Sequence, residues 1–298
     1  MRSDPADYEL VAPENLQAAI SLLADAPGRW LPIAGGTDLM VQYAAGTLRA
    51  RKLVSIWNLS DLRGVQVLPD EIQVGAGCTY TDLREHHVVN REFPLLARAA
   101  SWTGGISNQN RGTLGGNIVN ASPAADSLPA LLAYGADLIL VSVRGERRLP
   151  YRDFHIAYKK TQLAPDELIR AVCLPRHFAG YISYARKVGT RKAQAISKVC
   201  IAALARLERG VVHDVRIAVG SVAPVPLRLL ETEGALDRKP IQASTVALAR
   251  KTAAAEVRPI DDIRSTARYR AAVVGNLVAE FIETLVAANG PAGHASHK

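Results

Sequence analysis

Arg111-Gly112-Thr113-Leu114-Gly115-Gly116-Asn117-Ile118-Val119-Asn120 sets a hydroxyl, two adjacent glycines and an amide side chain in close succession. Paired glycines let backbone N–H groups converge with no side chain in the way, which is how an anion-binding nest forms. Asn117 both donates and accepts, which suits a phosphate or a sugar hydroxyl. The same chemistry stands upstream in Pro32-Ile33-Ala34-Gly35-Gly36-Thr37-Asp38-Leu39. There an apolar strand runs into a glycine turn and a helix follows, offering free donors and a favourable dipole at its N-terminus. Thr37 can donate its hydroxyl to a phosphate. A carboxylate does not face one comfortably, so Asp38 caps the helix or holds the turn. Either turn alone is also what an ordinary strand–turn–helix connection looks like. Two of them, about 80 residues apart (Gly35 to Gly115), can pinch one elongated diphosphate from both sides. The chain is otherwise poor in acid–base candidates, so a bound nucleotide cofactor would carry the chemistry.

Outward from the turns, the pattern predicts mixed helix and sheet. A helix is expected over Pro13–Ala26, with Leu16, Ile20 and Leu23 on one face. Strands are expected at Trp30–Ala34, Lys52–Trp57 and Ile72–Gly75, and a short helix reaches Ala45. Helices near Asp82–His87 and Pro94–Trp102 precede a loop from Gly104 to Asn120. A helix over Asp126–Tyr134 and strands at Asp137–Val143 and Glu167–Leu174 complete the first part. Around Pro175–Gly180 the texture changes to a meander of Tyr181–Val188, Ile196–Glu208 and Val211–Val219, with Arg209-Gly210 as a turn. Val273, Leu277, Phe281 and Leu285 then recur on one helical stripe. The tail Asn289–Lys298 is small and polar and is expected to fray. The boundary falls near residue 178, the class is α+β or mixed α/β in two parts, and the chain closes with a small helical bundle on an antiparallel sheet.

Composition narrows the function. At 298 residues the chain suits about two domains. Hydrophobic residues at 48% against 21% charged describe a globular protein, and no apolar run approaches a bilayer span. Met1-Arg-Ser-Asp-Pro-Ala-Asp7 lacks the apolar core of a secretory signal. Cys78, Cys173 and Cys200 are too few and too widely spaced for a disulfide framework, a Cys-x-x-Cys metal site or an iron–sulfur ligand set, so a reducing cytoplasm is the expected compartment. The net charge of +8 is spread along the chain with only 5% aromatics; no nucleic-acid-binding signature accompanies it.

Other motifs fail. Gly75-x-Gly77 meets Tyr80 where a dinucleotide fingerprint needs its third glycine. No P-loop or His-Glu-x-x-His occurs, and Ser107 lacks the second glycine of a nucleophile elbow. His86-His87 reads as a helix-surface pair, and His294 and His297 make no metal cage on a terminal tail.

With Ala34-Gly-Gly-Thr-Asp38 ahead of it, the stretch Thr113-Leu-Gly-Gly-Asn-Ile-Val-Asn-Ala-Ser-Pro-Ala-Ala-Asp126-Ser-Leu-Pro-Ala-Leu-Leu132 resembles the FAD-binding subunit of molybdenum hydroxylases, the family of xanthine dehydrogenase and aerobic carbon monoxide dehydrogenase. The likeness continues at Tyr158–Ile169, Lys187-Val-Gly-Thr-Arg191, Ile196-Ser197, Val215–Pro224 and Tyr269-Arg270, nearly the whole chain. It implies a bipartite FAD-binding region of the vanillyl-alcohol-oxidase (PCMH) type over residues 1–178, with subdomains of about 1–58 and 59–178. A flavoprotein C-terminal domain over 179–298 would follow. Carried over, Pro32, Ile33, Ala34, Gly35, Gly36, Thr37, Asp38 and Leu39 form the first FAD turn, and Thr113, Gly115, Gly116 and Asn117 the second. Asp126, Ile169 and Lys187 fall on further FAD positions, although they also suit a helix cap, a core strand and a surface charge. Thr103 stands where some members place an aromatic ring near the isoalloxazine; here Trp102 is next door.

The resemblance also implies partners. A large subunit would carry molybdopterin and a small one two [2Fe-2S] clusters, with NAD⁺, oxygen or another acceptor taking the electrons; no nucleic acid or membrane is involved. The three cysteines cannot ligate the extra cluster of the benzoyl-CoA reductase branch. A xanthine-dehydrogenase-like role leads. A carbon monoxide or aldehyde dehydrogenase subunit, a standalone flavin reductase of the same fold and a flavin-free docking subunit stay open.

Overall fold

Parallel pairing opens the chain: Glu9–Val11 and Leu31–Ile33 flank Lys52–Ser55 in a three-stranded sheet. The computed structural model describes residues 4–191 and 194–289. The helix Leu16–Asp25 buries Ala19, Ile20 and Leu23 in a small core with Trp30, Val54 and Leu59. It begins later than its apolar pattern predicts. Asn15, not Pro13, is its cap, the side chain accepting from Ala18 N at 2.9 Å.

An antiparallel sheet forms the middle of the molecule, in the order Val65–Val67, Glu71–Gly75, Leu168–Pro175, Asp137–Ser142, Gly145–Pro150. Helices Tyr80–Glu85, His87–Glu92, Pro94–Trp102, Leu114–Asn120 and Leu128–Ala133 surround it with the main core, including Phe93, Leu96, Leu114, Ile118, Leu131 and Val172. Both edge strands escaped the periodicity. Gly145–Pro150 is charged and exposed, and its Arg147 and Arg148 find Glu167, Glu71 and Asp137. Edge strands carry such residues, so their pattern reads as loop.

Three further expectations are corrected. Gly104–Asn120 is no loop: Ile106–Gln109 and Leu114–Asn120 are short helices. His86 does not share a helix surface with His87; it sits between two helices and caps the second through Nδ1, which accepts from Val89 N at 3.4 Å. The helix expected from Asp126 starts at Leu128, and its cap position, Ser127, makes no capping bond.

The last part is a four-stranded antiparallel meander, Ile182–Val188, Val199–Glu208, Val211–Gly220 and Leu227–Arg228, with helices Leu230–Leu236, Ala243–Glu256 and Ala267–Asn289. Its central strand is buried on both faces. Val199, Ile201, Ala203 and Ala205 meet Val274, Leu277, Phe281 and Leu285 of the long helix, whereas Ala202 and Leu204 join the main core around the helix Leu128–Ala133. Period-two alternation therefore seats one strand between two cores. The long helix is apolar enough in length and composition to cross a bilayer, but its apolar stripe is the core under this sheet. The tail with His294 and His297 lies outside the described residues.

Candidate functional site

The two glycine turns meet. A Cβ on Gly35 would stand 1.6 Å from the Arg111 carbonyl oxygen, so the first turn lies directly on the backbone that leads into the second. Arg111 is held there by its side chain, whose guanidinium lies 3.9 Å from the Trp57 ring centroid, with Arg63 over the same ring at 4.2 Å. Trp57 belongs to neither turn, and Arg111 has no role in its own turn's chemistry; only the approach of residues distant in sequence gives them this part.

The turns differ in what they offer. Gly36 has φ +75°, a conformation that favours glycine. The N–H groups of Gly35, Gly36, Thr37 and Asp38 have no acceptor in the protein among the described residues, which leaves a nest of donors open to an anion. In the second turn the donors are taken. Gly115 N donates to Ala76 O at 2.8 Å, Gly116 N to the Thr113 hydroxyl at 3.1 Å and Asn117 N to Thr113 O at 3.0 Å. Thr113 is thus a helix cap rather than a free hydroxyl. Gly115 is packed against Ala76, and Gly116 is the bare, exposed position of the pair. The expectation of two equivalent anion nests becomes one nest with open donors and one turn whose donors are taken but whose Gly116 is exposed.

Asp38 occupies the cap position of the helix Leu39–Ala44 but makes no capping bond. Instead its carboxylate accepts from Gln42 Nε2 at 2.6 Å and from Asn120 Nδ2 at 3.4 Å. Lys159, at φ +56°, completes the latch by donating to Asn120 O at 2.7 Å and Oδ1 at 2.6 Å. Asp38 therefore holds the turn, and does so by tying it to the end of the second-turn helix. Pro32 and Ile33 belong to the strand before the nest, Ala34 and Leu39 flank it, and all four are half-buried.

The other predicted positions gather at a buried end. Asp126 is 8% exposed; Lys187 Nζ donates to its Oδ2 at 2.6 Å and to Trp102 O at 3.1 Å, and Ser197 Oγ donates to its other oxygen. Burial pushes the Asp126 carboxyl up from its ordinary value, opposed by the Lys187 ammonium and the Ser197 hydroxyl. Lys187 is thus no surface charge and Asp126 no helix cap. Register explains the lysine: it pairs with Cys200, two residues from Ala202 and so on the same face, the one that meets the first domain's core. Asn117 accepts from Ser127 Oγ at 2.7 Å, which aims its amide. Thr103 donates to Ala99 O at 3.0 Å and so closes its own helix. Ile169 is a core side chain opposite Leu140, beside a register shift at Ile169/Ala171.

A donor nest, a bare glycine and a buried lysine–aspartate pair fit an elongated dinucleotide with an anionic middle. With the lysine supplied by the second domain, the molecule has the build of a flavoprotein subunit. Comparison with known proteins agrees. Residues 6–177 match the FAD binding domain in molybdopterin dehydrogenase and residues 184–285 the CO dehydrogenase flavoprotein C-terminal domain. The chain belongs to the FAD-binding medium subunits of the xanthine dehydrogenase and carbon monoxide dehydrogenase family, and FAD is its cofactor. It is 34% identical over 289 residues to the xanthine dehydrogenase FAD-binding subunit of Escherichia coli O157:H7, covering 96% of this chain and 98% of that one. The carbon monoxide dehydrogenase medium chain of Hydrogenophaga pseudoflava is 28% identical over 92% of this chain and 95% of its own. In structure, carbon monoxide dehydrogenase from the same organism superposes with a TM-score of 0.91 over 95% of this chain and 99% of that chain, at 28% identity.

Proposed function

We propose that this chain is the flavin relay of a three-subunit molybdenum hydroxylase of xanthine-dehydrogenase-like type. Electrons from a molybdopterin-bearing large subunit pass through the [2Fe-2S] clusters of a small subunit to this chain and leave to NAD⁺ or another acceptor. The observation that carries the reading is the open donor nest of the first turn, packed on the backbone that leads into the second, together with the buried Lys187–Asp126 pair. Residues 1–178, divided near 58, form the FAD-binding region, and 179–298 the C-terminal domain.

Bound FAD supplies the exchange between one-electron carriers and a two-electron acceptor. The chain's own groups do the rest. Gly35, Gly36, Thr37 and Asp38 present N–H donors to the diphosphate. Gly116 and Asn117 admit and hydrogen-bond the chain of the cofactor, with Thr113 and Gly115 shaping that turn, and Pro32, Ile33, Ala34 and Leu39 wall the first. Lys187 places a cation near the ring, oriented by Asp126 and Ser197, and Thr103 and Ile169 line its surroundings. The cytoplasm suits the three unpaired, buried thiols. A second reading, an aldehyde- or carbon-monoxide-oxidising complex, is favoured by equal 28% identity to the glyceraldehyde dehydrogenase medium chain of Sulfolobus acidocaldarius and the carbon monoxide dehydrogenase chain.

The test is co-purification with the neighbouring subunits, followed by flavin bleaching and NADH formation on addition of xanthine or an aldehyde. Flavin that bleaches with xanthine and reoxidises with NAD⁺ supports the reading. A complex holding FAD that no partner-bound donor reduces overturns it. Lys187→Gln should lower the flavin midpoint potential, because an ammonium stabilises the added negative charge.

A further inference from the structure

Tyr269-Arg270 stands far from both glycine turns in the sequence, and the flavin reading leaves it without a part. Its contacts supply one. Arg270, near the start of the long helix, is only 3% exposed. Its NH1 donates to Lys198 O at 3.1 Å and to Ser221 O at 2.9 Å, and its NH2 to Asp262 Oδ1 at 2.7 Å. Tyr269 grips the same lysine by its side chain, with Lys198 Nζ 5.2 Å from the ring centroid. Asp262 answers the buried charge; the two carbonyl bonds are a separate duty, and the segments they hold decide what it is. Lys198 follows Ser197, whose hydroxyl donates to Asp126, and its own N–H donates to Val188 O at 2.8 Å, beside Lys187. Ser221 donates its N–H to Pro123 O at 2.8 Å, on the segment that leads to Asp126. Ser221 has φ +68°, a strained conformation for a residue with a side chain, which persists only where its surroundings hold it. The strand end is close-packed as well: a Cβ on Gly220 would stand 2.7 Å from Cys200 Sγ and 3.2 Å from Pro129 Cγ. One guanidinium nitrogen thus joins the three segments that carry Lys187, Ser197 and Asp126.

We propose that Arg270 is a positioning residue for the flavin: by pinning Lys198 and Ser221 it fixes the Lys187 ammonium against Asp126 and Ser197, and so sets how strongly that cation stabilises the reduced ring. This rests on the reading that Lys187 borders the flavin. The bonds of Arg270 go to backbone carbonyls and to Asp262, so it acts through the segments it holds and touches no reacting atom. A clamp that served the fold alone would change stability and leave the flavin's electronic properties where they were.

The experiment measures the flavin midpoint potential of the FAD-loaded complex in the wild type, Arg270→Lys, Arg270→Met, Lys187→Gln and the double variant Lys187→Gln/Arg270→Lys. Arg270→Lys keeps a cation for Asp262, but an ammonium lacks the fork that spans both carbonyls and the acid, so it should fold with the junction loosened; where Arg270→Met does not fold, Arg270→Lys decides. The expected result is a potential lowered in Arg270→Lys, in the same direction as in Lys187→Gln and by less, with the FAD Kd raised about tenfold. The double variant should fall no lower than Lys187→Gln alone, because residues that act through one another are not additive. A potential unchanged in every Arg270 variant that folds, with Lys187→Gln still lowered, makes Arg270 a clamp of the fold and overturns the proposal while the lysine reading stands. Additive lowering in the double variant routes the effect around Lys187 and overturns the proposal too. A potential that Lys187→Gln itself leaves unmoved removes both.

Discussion

Gly35→Ala separates the role of a glycine in the fold from its role toward the cofactor. The added methyl would lie 1.6 Å from the Arg111 oxygen and 2.4 Å from its carbonyl carbon, whereas real Cβ contacts stay above 3.0 Å. The obstacle is backbone, so no side-chain rotation relieves it, and the two chains must part by more than an ångström. Parting them disturbs the stacking of Arg111 on Trp57 and the bridge between Thr79 and Thr113. Overpacking of this kind costs about 1–3 kcal/mol, and loss of the cation–π contact adds about 0.5–1 kcal/mol. A loss of roughly 1.5–4 kcal/mol in the flavin-free protein is therefore expected. Gly116→Ala is the control. There the nearest atom is the Thr113 hydroxyl at 2.8 Å, a movable group whose capping bond is worth ~1 kcal/mol. Urea melts of both variants without FAD, alongside the flavin content of each, make the comparison. Gly35→Ala should lose stability and flavin together; Gly116→Ala should stay within ~1 kcal/mol of wild type and lose flavin. A Gly35→Ala chain as stable as wild type would refute the contact between the turns, and a Gly116→Ala chain with full flavin would refute the bare surface as part of the cradle.

Three other outcomes are expected. Lys159→Met removes both bonds to Asn120 and should weaken FAD binding about tenfold while leaving the melt of the flavin-free protein near wild type; an unchanged FAD Kd would show that the Lys159–Asn120–Asp38 latch does not set the cradle. Arg176 and Arg91 hold the Glu92 carboxyl at about 2, below its ordinary 4.5. Because the folded value is depressed, this pairing contributes fully above about pH 4.5 and is lost as pH falls toward 2, so acid titration of stability should be shallower in Glu92→Gln. Burial raises the Cys78 thiol to about 11 and Cys173 to about 12, and pushes Cys200 up as well. A thiol reagent at neutral pH should therefore label none of the three in the native protein and all three after unfolding.

How far the chain could be read depends on whether a feature is local. Strands with an apolar run, such as Asp137–Ser142 and Val199–Glu208, and the helix Pro94–Trp102 announce themselves by periodicity. The edge strand Gly145–Pro150 does not, because its stabilising partners are Glu71, Asp137 and Glu167 on other strands and loops. The glycine pairs are visible in the sequence as well, but their physical reasons are not. Gly35 is demanded by Arg111 and Gly115 by Ala76, both far away in sequence. Local chemistry assigns both turns the same anion-binding duty, yet only the first keeps its donors open. Residues to which the sequence assigned no role, such as Trp57, Arg111, Ser127 and Lys159, all act by holding a marked residue in place.

The buried pair ties the FAD-binding domain to the C-terminal domain. Asp126 comes from the chain segment just before the helix Leu128–Ala133, whereas Lys187 and Ser197 come from the C-terminal sheet and its approach. A carboxylate this deeply buried is costly without its cation, so neither domain can complete this pair alone. That cost also sets the order of dependence. Asp126→Asn leaves Lys187 a neutral acceptor and keeps the Ser197 contact, so the two domains should stay joined while the cation loses its orientation. Lys187→Met strands the acid instead, and the acid must take up a proton or draw water into the interface. The lysine variant should therefore lose both flavin and domain cohesion, and the asparagine variant mainly flavin. A flavin subunit whose C-terminal sheet were only a docking platform would show no such asymmetry, because its cofactor site would be finished before residue 178.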